Sequence, residues 1–516
     1  MISINIILNY FYEISQIPRP SGKEDKIRDY LIDFACSNKL EWKSDSVGNV
    51  FIKKNAAKGF EKSPTVVLQS HMDIVCEKEK GYDFDFEKQP IRYDIDGDFI
   101  KSYKSKTTLG ADNGVGMAIS LAILSSDIKC GPIECIFTVD EEMGFTGVHE
   151  MKPDFFSGNL FINLDWEKEG EICIGCAGGI KIDSEKAFEP KSFDIKNNDI
   201  KSNGIKNNEK LFRFEVSGLK SGHSGGEIHL NRENAIKIVA NFMDRFESLN
   251  ICEINVGNLP NVIPGYGYVI FGIENTDNVE KIVEAKFTEF EKYINESVRP
   301  REPNIKISIE NITSENISIE NITSKNISIE KADVKKFKFL SQKDSKDIIS
   351  VLNRCPTGVI SYDPINPDFV ETSNNIASVK TEEKDGKIVI KTTGFLRSSS
   401  NKKKYENAQS IKKIFDNFCF KTEFHGDYSA WEPDYESDFT KYVKSIYEKS
   451  YNKKIEVVVT HAGLECGAFK LLRPEIKAVS IGPDICGAHT PSEKFSISSL
   501  KRFSELLVGL IISIQK

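Results

Sequence analysis

Between residues 65 and 164 the chain alternates short, unbroken apolar runs with one longer apolar stretch. The runs at 65–68 (TVVL), 133–139 (IECIFTV) and 160–164 (LFINL) have the length of buried strands. The stretch at 114–124, GVGMAISLAIL, is apolar on nearly every face and predicts a helix buried among them. Strand–helix–strand alternation implies an α/β domain built on a mixed, largely parallel sheet with helices on both faces. Ahead of it, Ile6, Ile7, Tyr10, Phe11 and Ile14 mark one face of a first helix. The same pattern returns after residue 425, with strands expected at 456–460 and 478–481 and a closing helix at 495–514.

The middle of the chain has a different rhythm. Asn231 is placed to cap a helix running to residue 249, whose Ile236, Val239, Ala240, Met243 and Phe246 form one apolar stripe. A second amphipathic stretch covers 282–298, and strand-like segments at 211–216, 268–273 and 387–392 flank the two. Helices segregated against an antiparallel sheet predict an α+β domain inserted into the first. The expected limits are 1–185 and 425–516 for the interrupted domain and 186–424 for the insert. Within the insert, residues 308–330 read SIENITSENISIENITSKNISIE, a ten-residue unit in two copies on a five-residue beat. Two copies of so short a unit make no solenoid. The alternating isoleucines suggest a strand or hairpin extension, the low complexity permits disorder, and the segment is expected to carry no chemistry.

Composition narrows the class. The 516 residues exceed one ordinary core, and 39% hydrophobic with 28% charged residues describes a globular protein. A net charge of −8 argues against a nucleic-acid footprint, and no run reaches the ~20 apolar residues needed to cross a bilayer. The opening lacks a basic region and a small-residue cleavage site, so no export signal is expected. Eleven scattered cysteines then fit a reducing cytoplasm. The C-x-x-C at Cys173 and Cys176 has no second pair and no following helix start, which speaks against a redox or zinc-knuckle role.

Candidate chemistry sits where strands end. His71 and Asp73 follow the first run; Asp112 precedes the buried helix; Glu141 and Glu142 follow the second run; Asp165 closes the third; His489 lies beyond a late strand. In open α/β sheets ligands collect outside the carboxyl ends of the strands, so these residues can meet at one rim. Two histidines and three carboxylates suit two zinc-like ions with one carboxylate bridging. Such a pair activates a shared water, which needs a further carboxylate as base and another to orient an imidazole. Glu141 and Asp73 are left for those tasks. Each position taken alone also reads as turn chemistry, a helix cap or a surface group, and the residues by themselves leave both readings open.

The stretches SHMDIVCEK, TTLGADNGVGMA, TVDEEMGFTG, NLDWEKEGEICIGCAGG, GLKSGHSGGEIHLNRENA and GAHTPSEK together resemble the aminoacyl-histidine dipeptidases. These are Xaa-His, carnosinase-like enzymes of the di-zinc exopeptidase superfamily. The likeness runs from FYEISQIPRPSGKED at Phe11 to the last helix. It implies a zinc exopeptidase-like catalytic domain interrupted by a lid. It implies two Zn²⁺, for which Co²⁺ or Mn²⁺ can substitute, with His71 and Asp165 on one, Glu142 and His489 on the other, and Asp112 bridging. Glu141 would be the general base and Asp73 the partner of His71. Substrate contacts map to His223, Asn261, Arg397 and Gly463. Arg397 offers a planar fork to a dipeptide's carboxylate, and His223, between glycines, can approach a developing oxyanion. His461 and Glu465 are expected to support the site from behind, and Cys466 and Cys486 to pack.

The resemblance further implies a small peptide substrate, a cytoplasmic enzyme and a homodimer formed through the lid. The repeat makes the chain longer than its relatives between about 300 and 335, away from every proposed ligand. The rival readings are another amide hydrolase on the same metals (an aminoacylase, tripeptidase or N-deacylase) and a non-catalytic assembly protein.

Overall fold

The computed structural model describes residues 2–193, 209–312 and 337–514. Two compact units divide the chain, Met1–Gly178 with Tyr428–Lys516, and Gly179–Asp427. In the first unit eight strands form one sheet, in the order Glu41–Ser44, Val50–Lys54, Ile133–Thr138, Val66–His71, Leu160–Asn163, Lys477–Ser480, Glu171–Cys176 and Glu456–Thr460. Val66–His71 pairs parallel with both Ile133–Thr138 and Leu160–Asn163, and the latter pairs parallel with Lys477–Ser480. Antiparallel pairs bring in the first two strands and join Ser480 to Cys173, so the sheet is mixed with a parallel centre.

Val66–His71 and Ile133–Thr138 are buried at every position, which is why their sequences run apolar without alternation. Gln69, Thr138 and Glu134, polar exceptions in these strands, are bonded through their side chains. Glu134, 1% exposed, accepts from the amides of Ser157 and Gly158 at 2.8 and 2.9 Å. The helix Ala111–Ser125 packs on Val66–His71 and on the first helix, Ile4–Ser15. Ile7, Phe11 and Ile14 of that first helix are buried, but Ile6 is 46% exposed. At roughly 100° per residue Ile6 turns off the stripe on the side away from Phe11. A small sheet in the order Ile485–Cys486, Lys494–Ser496, Phe99–Ser102 and Tyr93–Asp96 holds the turn that carries His489.

The second unit is α+β. Its sheet runs Lys306–Ile312, Glu209–Ser217, Gly267–Glu274, Asn250–Gly257, Val370–Lys384, Lys387–Ser398, Gly178–Phe188 and Lys421–Tyr428, with Gly358–Tyr362 beside Val370–Lys384. Pairing is antiparallel from the first of these through Lys387–Ser398. Four helices, Ala235–Met243, Val279–Tyr293, Gln342–Arg354 and Asn401–Asp416, share one core with it. The cap of Ala235–Met243 is Asn234 and not Asn231. The Asn234 side chain accepts the Ile236 amide at 2.9 Å, whereas Asn231 stands in the left-handed region at φ +50°. The helix stops at Met243, yet the expected stripe holds: Ile236, Val239, Ala240, Met243 and Phe246 are all buried. Lys306–Ile312 takes in the first five residues of the repeat, with Ile307 and Ile309 against the core. Residues 313–330 of the repeat lie outside the described residues. No described helix is long and apolar enough to cross a membrane.

Candidate active site

Two neighbouring parallel strands end level, with His71 opposite Thr138, and on the other side of Val66–His71 the parallel strand Leu160–Asn163 ends opposite Gln69. The chain beyond each end therefore delivers its polar residues to one rim: Asp73 after Val66–His71, Glu141 and Glu142 after Ile133–Thr138, and Asp165 after Leu160–Asn163. Asp112 arrives from the N-terminal turn of Ala111–Ser125, and His489 from a turn where it takes φ +62°. Their atoms converge. His71 Nε2 lies 2.9 Å from Asp112 Oδ1 and 3.3 Å from Asp165 Oδ1. His489 Nε2 lies 3.1 Å from Asp112 Oδ2 and 3.0 Å from Glu142 Oε1. Besides His71–Glu141–Glu142, two donor triplets on this rim have one residue in common, His71–Asp112–Asp165 and Asp112–Glu142–His489, each with donor atoms within 4.8 Å of one another. Asp112 belongs to both and offers a different oxygen to each.

Asp73 ties this rim together. Its Oδ1 lies 3.3 Å from His71 Nδ1 and accepts the Glu141 amide at 3.0 Å, while Oδ2 accepts the Glu142 amide at 3.1 Å and the Ser21 hydroxyl at 2.7 Å. Gly463 lies in the same unit, where a Cβ would stand 2.9 Å from the Tyr428 ring and 3.3 Å from Phe145. Glu465 is 1% exposed and accepts from Gln69 at 2.6 Å and Thr138 at 2.7 Å, behind the strand ends. Cys466 is buried as expected, but Cys486 is exposed, at the edge of the small sheet.

In the second unit His223 and Asn261 come together. The Ser224 amide donates to the Asn261 carbonyl at 2.8 Å, and His223 forms an isolated β-bridge with Val262. His223 Nδ1 accepts the amides of Gly225 and Gly226 at 3.2 and 3.1 Å, which leaves the ring proton on Nε2. Asn375 donates to the carbonyls of Pro260 and Val262 at 3.1 and 2.9 Å and so holds both flanks of Asn261. Asn375 pairs with Phe395, and Ser373 with Arg397, so these four share one sheet face. Arg397 is 5% exposed, with its guanidinium 4.6 Å from the Phe395 ring centroid.

The model of peptidase family M20/M25/M40 matches residues 67–513. The chain is 31% identical over 505 residues to the cytosol non-specific dipeptidase of Escherichia coli K12, covering 97% of this chain and 96% of that one. The chain belongs to the M20 peptidases. A crystal structure of aminoacylhistidine dipeptidase from Vibrio alginolyticus is similar at a TM-score of 0.81 and 32% identity, covering 99% of this chain and 97% of that chain. An aminopeptidase from Bacillus cereus shares the fold at a TM-score of 0.59 and 16% identity, with both chains covered fully.

The donor set of this M20 peptidase fits a pair of cations. Nitrogen and carboxylate oxygen come within about 3 Å only with positive charge between them, a proton or a cation. Carboxylates from Asp73, Asp112, Glu141, Glu142 and Asp165 outnumber the two imidazoles, so protons on the histidines cannot balance the rim. The crowding of like charges shifts the proton affinities of the rim. Burial lifts Asp165 to about 7, with Asp112 repelling it further. Burial also lifts Glu141 well above the ordinary carboxylate range, against the pull of His71 and with Glu142 and Asp165 repelling its charge. Burial works against charge on His489, yet Asp112 and Glu142 raise it to about 11. Imidazole and carboxylate donors in two triplets sharing one carboxylate are the chemistry of a dinuclear site.

Several residues that shape the M20 site stand outside the sequence expectation. Arg19, Ser21, Asn113 and Glu493 all lie within quoted motifs, but nothing in their type or spacing marks them. Asn113 donates to Asp165 and to the Leu164 carbonyl. Their roles consist of hydrogen bonds to main chain or to other site residues, which leave no pattern in one sequence.

Proposed function

We propose that the chain is a two-cation dipeptidase that cleaves dipeptides bearing a C-terminal histidine, of the carnosine type. Asp112 carries the reading, because its two oxygens face His71 and His489 separately and link the two donor triplets. In this reading His71 and Asp165 hold one zinc, Glu142 and His489 the other, and Asp112 bridges; Co²⁺ or Mn²⁺ can take their place. Cations held by these residues would supply Lewis-acid polarisation of a carbonyl and a lowered pKa for water.

The remaining steps belong to the side chains. Glu141 takes a proton from the attacking water and returns it to the leaving amine, and its burial keeps it basic enough to do so. Asp73 orients the His71 imidazole through Nδ1 and fixes the main chain of both glutamates. Arg397 suits the substrate's free carboxylate, and the Nε2–H of His223 suits a developing oxyanion. Asn261 and Gly463 complete the substrate contacts. A cytoplasmic location and a homodimer through the second unit belong to the same reading.

The test is metal analysis of the purified chain together with hydrolysis of carnosine, other Xaa-His dipeptides, unrelated dipeptides, tripeptides and N-acetyl amino acids. The expected result is two divalent ions per chain, cleavage abolished by a chelator, and the highest kcat/KM on Xaa-His dipeptides. Equal rates across all dipeptides would assign a non-specific dipeptidase. Preference for tripeptides or acetylated amino acids would assign a tripeptidase or aminoacylase, and cleavage indifferent to chelation would end the two-cation reading.

A further inference from the structure

Glu493 lies four residues beyond His489 and is 2% exposed. Its Oε2 accepts the amides of Leu109 at 2.7 Å and Gly110 at 3.0 Å, and its Oε1 those of Ala111 at 2.7 Å and Asp112 at 3.1 Å. N–H groups at the start of a buried helix have no carbonyl partner one turn back. Here a single carboxylate from a segment far along the chain takes four in succession, the last being that of Asp112 itself.

Arg19 closes the opposite side. Its Nη2 donates to the Gly110 carbonyl at 2.6 Å, and its Nη1 to the carbonyls of Met72 and Asp73 at 2.7 and 2.9 Å. Gly110 stands at φ +73°, where a Cβ would come within 2.7 Å of Arg19 Nη2 and 2.9 Å of Ile74. Three segments distant in sequence are thereby locked to one another: 71–73, 109–112 and 489–493. They are the segments that carry His71, Asp112 and His489.

We infer that Glu493 is a positioning residue that fixes the main chain from which Asp112 presents one oxygen to each triplet. A group that belongs to neither triplet thus governs the affinity of both cations. The inference rests on the two-cation reading above. Glutamine at this position has one acceptor oxygen for four amides and turns an NH₂ against the rest, while aspartate keeps two acceptors on a shorter arm.

The experiment is calorimetric titration of the metal-free full chain with Zn²⁺, with thermal unfolding of the same samples. It compares wild type, Glu493→Gln, Glu493→Asp and Leu507→Ala, a truncation of a buried residue in the closing helix. Affinity for both ions is expected to fall about 10- to 100-fold in Glu493→Gln and less in Glu493→Asp. Leu507→Ala is expected to lose thermal stability while binding as wild type does. Unchanged affinity at either site in folded Glu493→Gln would overturn the inference. So would an equal loss in Leu507→Ala, since that would make the effect one of general stability. If Glu493→Gln does not fold, Glu493→Asp decides by the same comparison. A wild type that takes up no cation refutes the two-cation reading, and the inference with it; a wild type that binds two ions beside an equally competent variant refutes the inference alone.

Discussion

Asp73 and Glu141 occupy adjoining places on the rim and separate by what each touches. Glu141 belongs to neither of the triplets that share Asp112, so Glu141→Gln should retain two metal ions per chain while kcat falls roughly 10²- to 10⁴-fold, as loss of a general base requires. Metal content measured beside single-substrate kinetics checks both halves. Asp73 touches the imidazole of His71, the amides of both glutamates and the Ser21 hydroxyl. Asp73→Ala should therefore weaken metal binding about 10- to 100-fold as well as slow turnover, a double loss that Glu141→Gln does not show. Metal titration of the two variants side by side would expose a failure of this distinction. At this scale the nearness of Asp73 to His71, 3.3 Å from Oδ1 to Nδ1, was legible, because a residue two past a strand end is within reach of the imidazole there. Its hold on Glu141 and Glu142 was not, because main-chain donors are the same in every sequence.

Elements were legible where burial imposes a period and less so where one side chain decides an end. The apolar runs around residues 65, 133 and 160 became strands because a parallel strand buried on both faces has no use for polar alternation. The helix in the second unit kept its stripe but began at a different asparagine. Asn234 caps Ile236 and also donates to the Ile376 carbonyl at 2.9 Å, a bond across to a strand that no local pattern reveals. Asn234→Ala should cost about 1–3 kcal/mol, since it removes a cap and leaves a buried carbonyl unmet. Phe242, fully buried and stacked on Phe214 with centroids 4.0 Å apart, should cost about 3–5 kcal/mol on truncation to alanine. Urea midpoints of the second unit's transition, compared among the two variants and wild type, measure both, and an Asn234→Ala midpoint equal to wild type would show the cap to be dispensable.

Across the whole molecule, every member of the two donor triplets belongs to the unit made of Met1–Gly178 and Tyr428–Lys516. Each unit has its own core, so bound cations should stabilise one and not the other. Scanning calorimetry with saturating Zn²⁺ should move one transition upward, by an amount that reflects about 2.7 kcal/mol for each site at a hundredfold excess over Kd. Addition of a chelator should return that transition alone to its starting temperature. Parallel movement of both transitions would mean that the units unfold together. Residues 308–312 of the repeat end an outer strand of the other unit and contribute nothing to either triplet.

The order of apolar and polar positions determined by itself that a mixed α/β domain is interrupted by an α+β one, and which histidines and carboxylates stand at strand ends, because burial and backbone period are written locally. Resemblance then attached roles to those positions. Tertiary structure alone decided that the two oxygens of Asp112 face different histidines, that Glu493 and Arg19 clamp the loop behind it, and that Asn375 steadies Asn261. Those facts depend on distances between segments up to several hundred residues apart and on hydrogen bonds to main chain, and a linear pattern records neither.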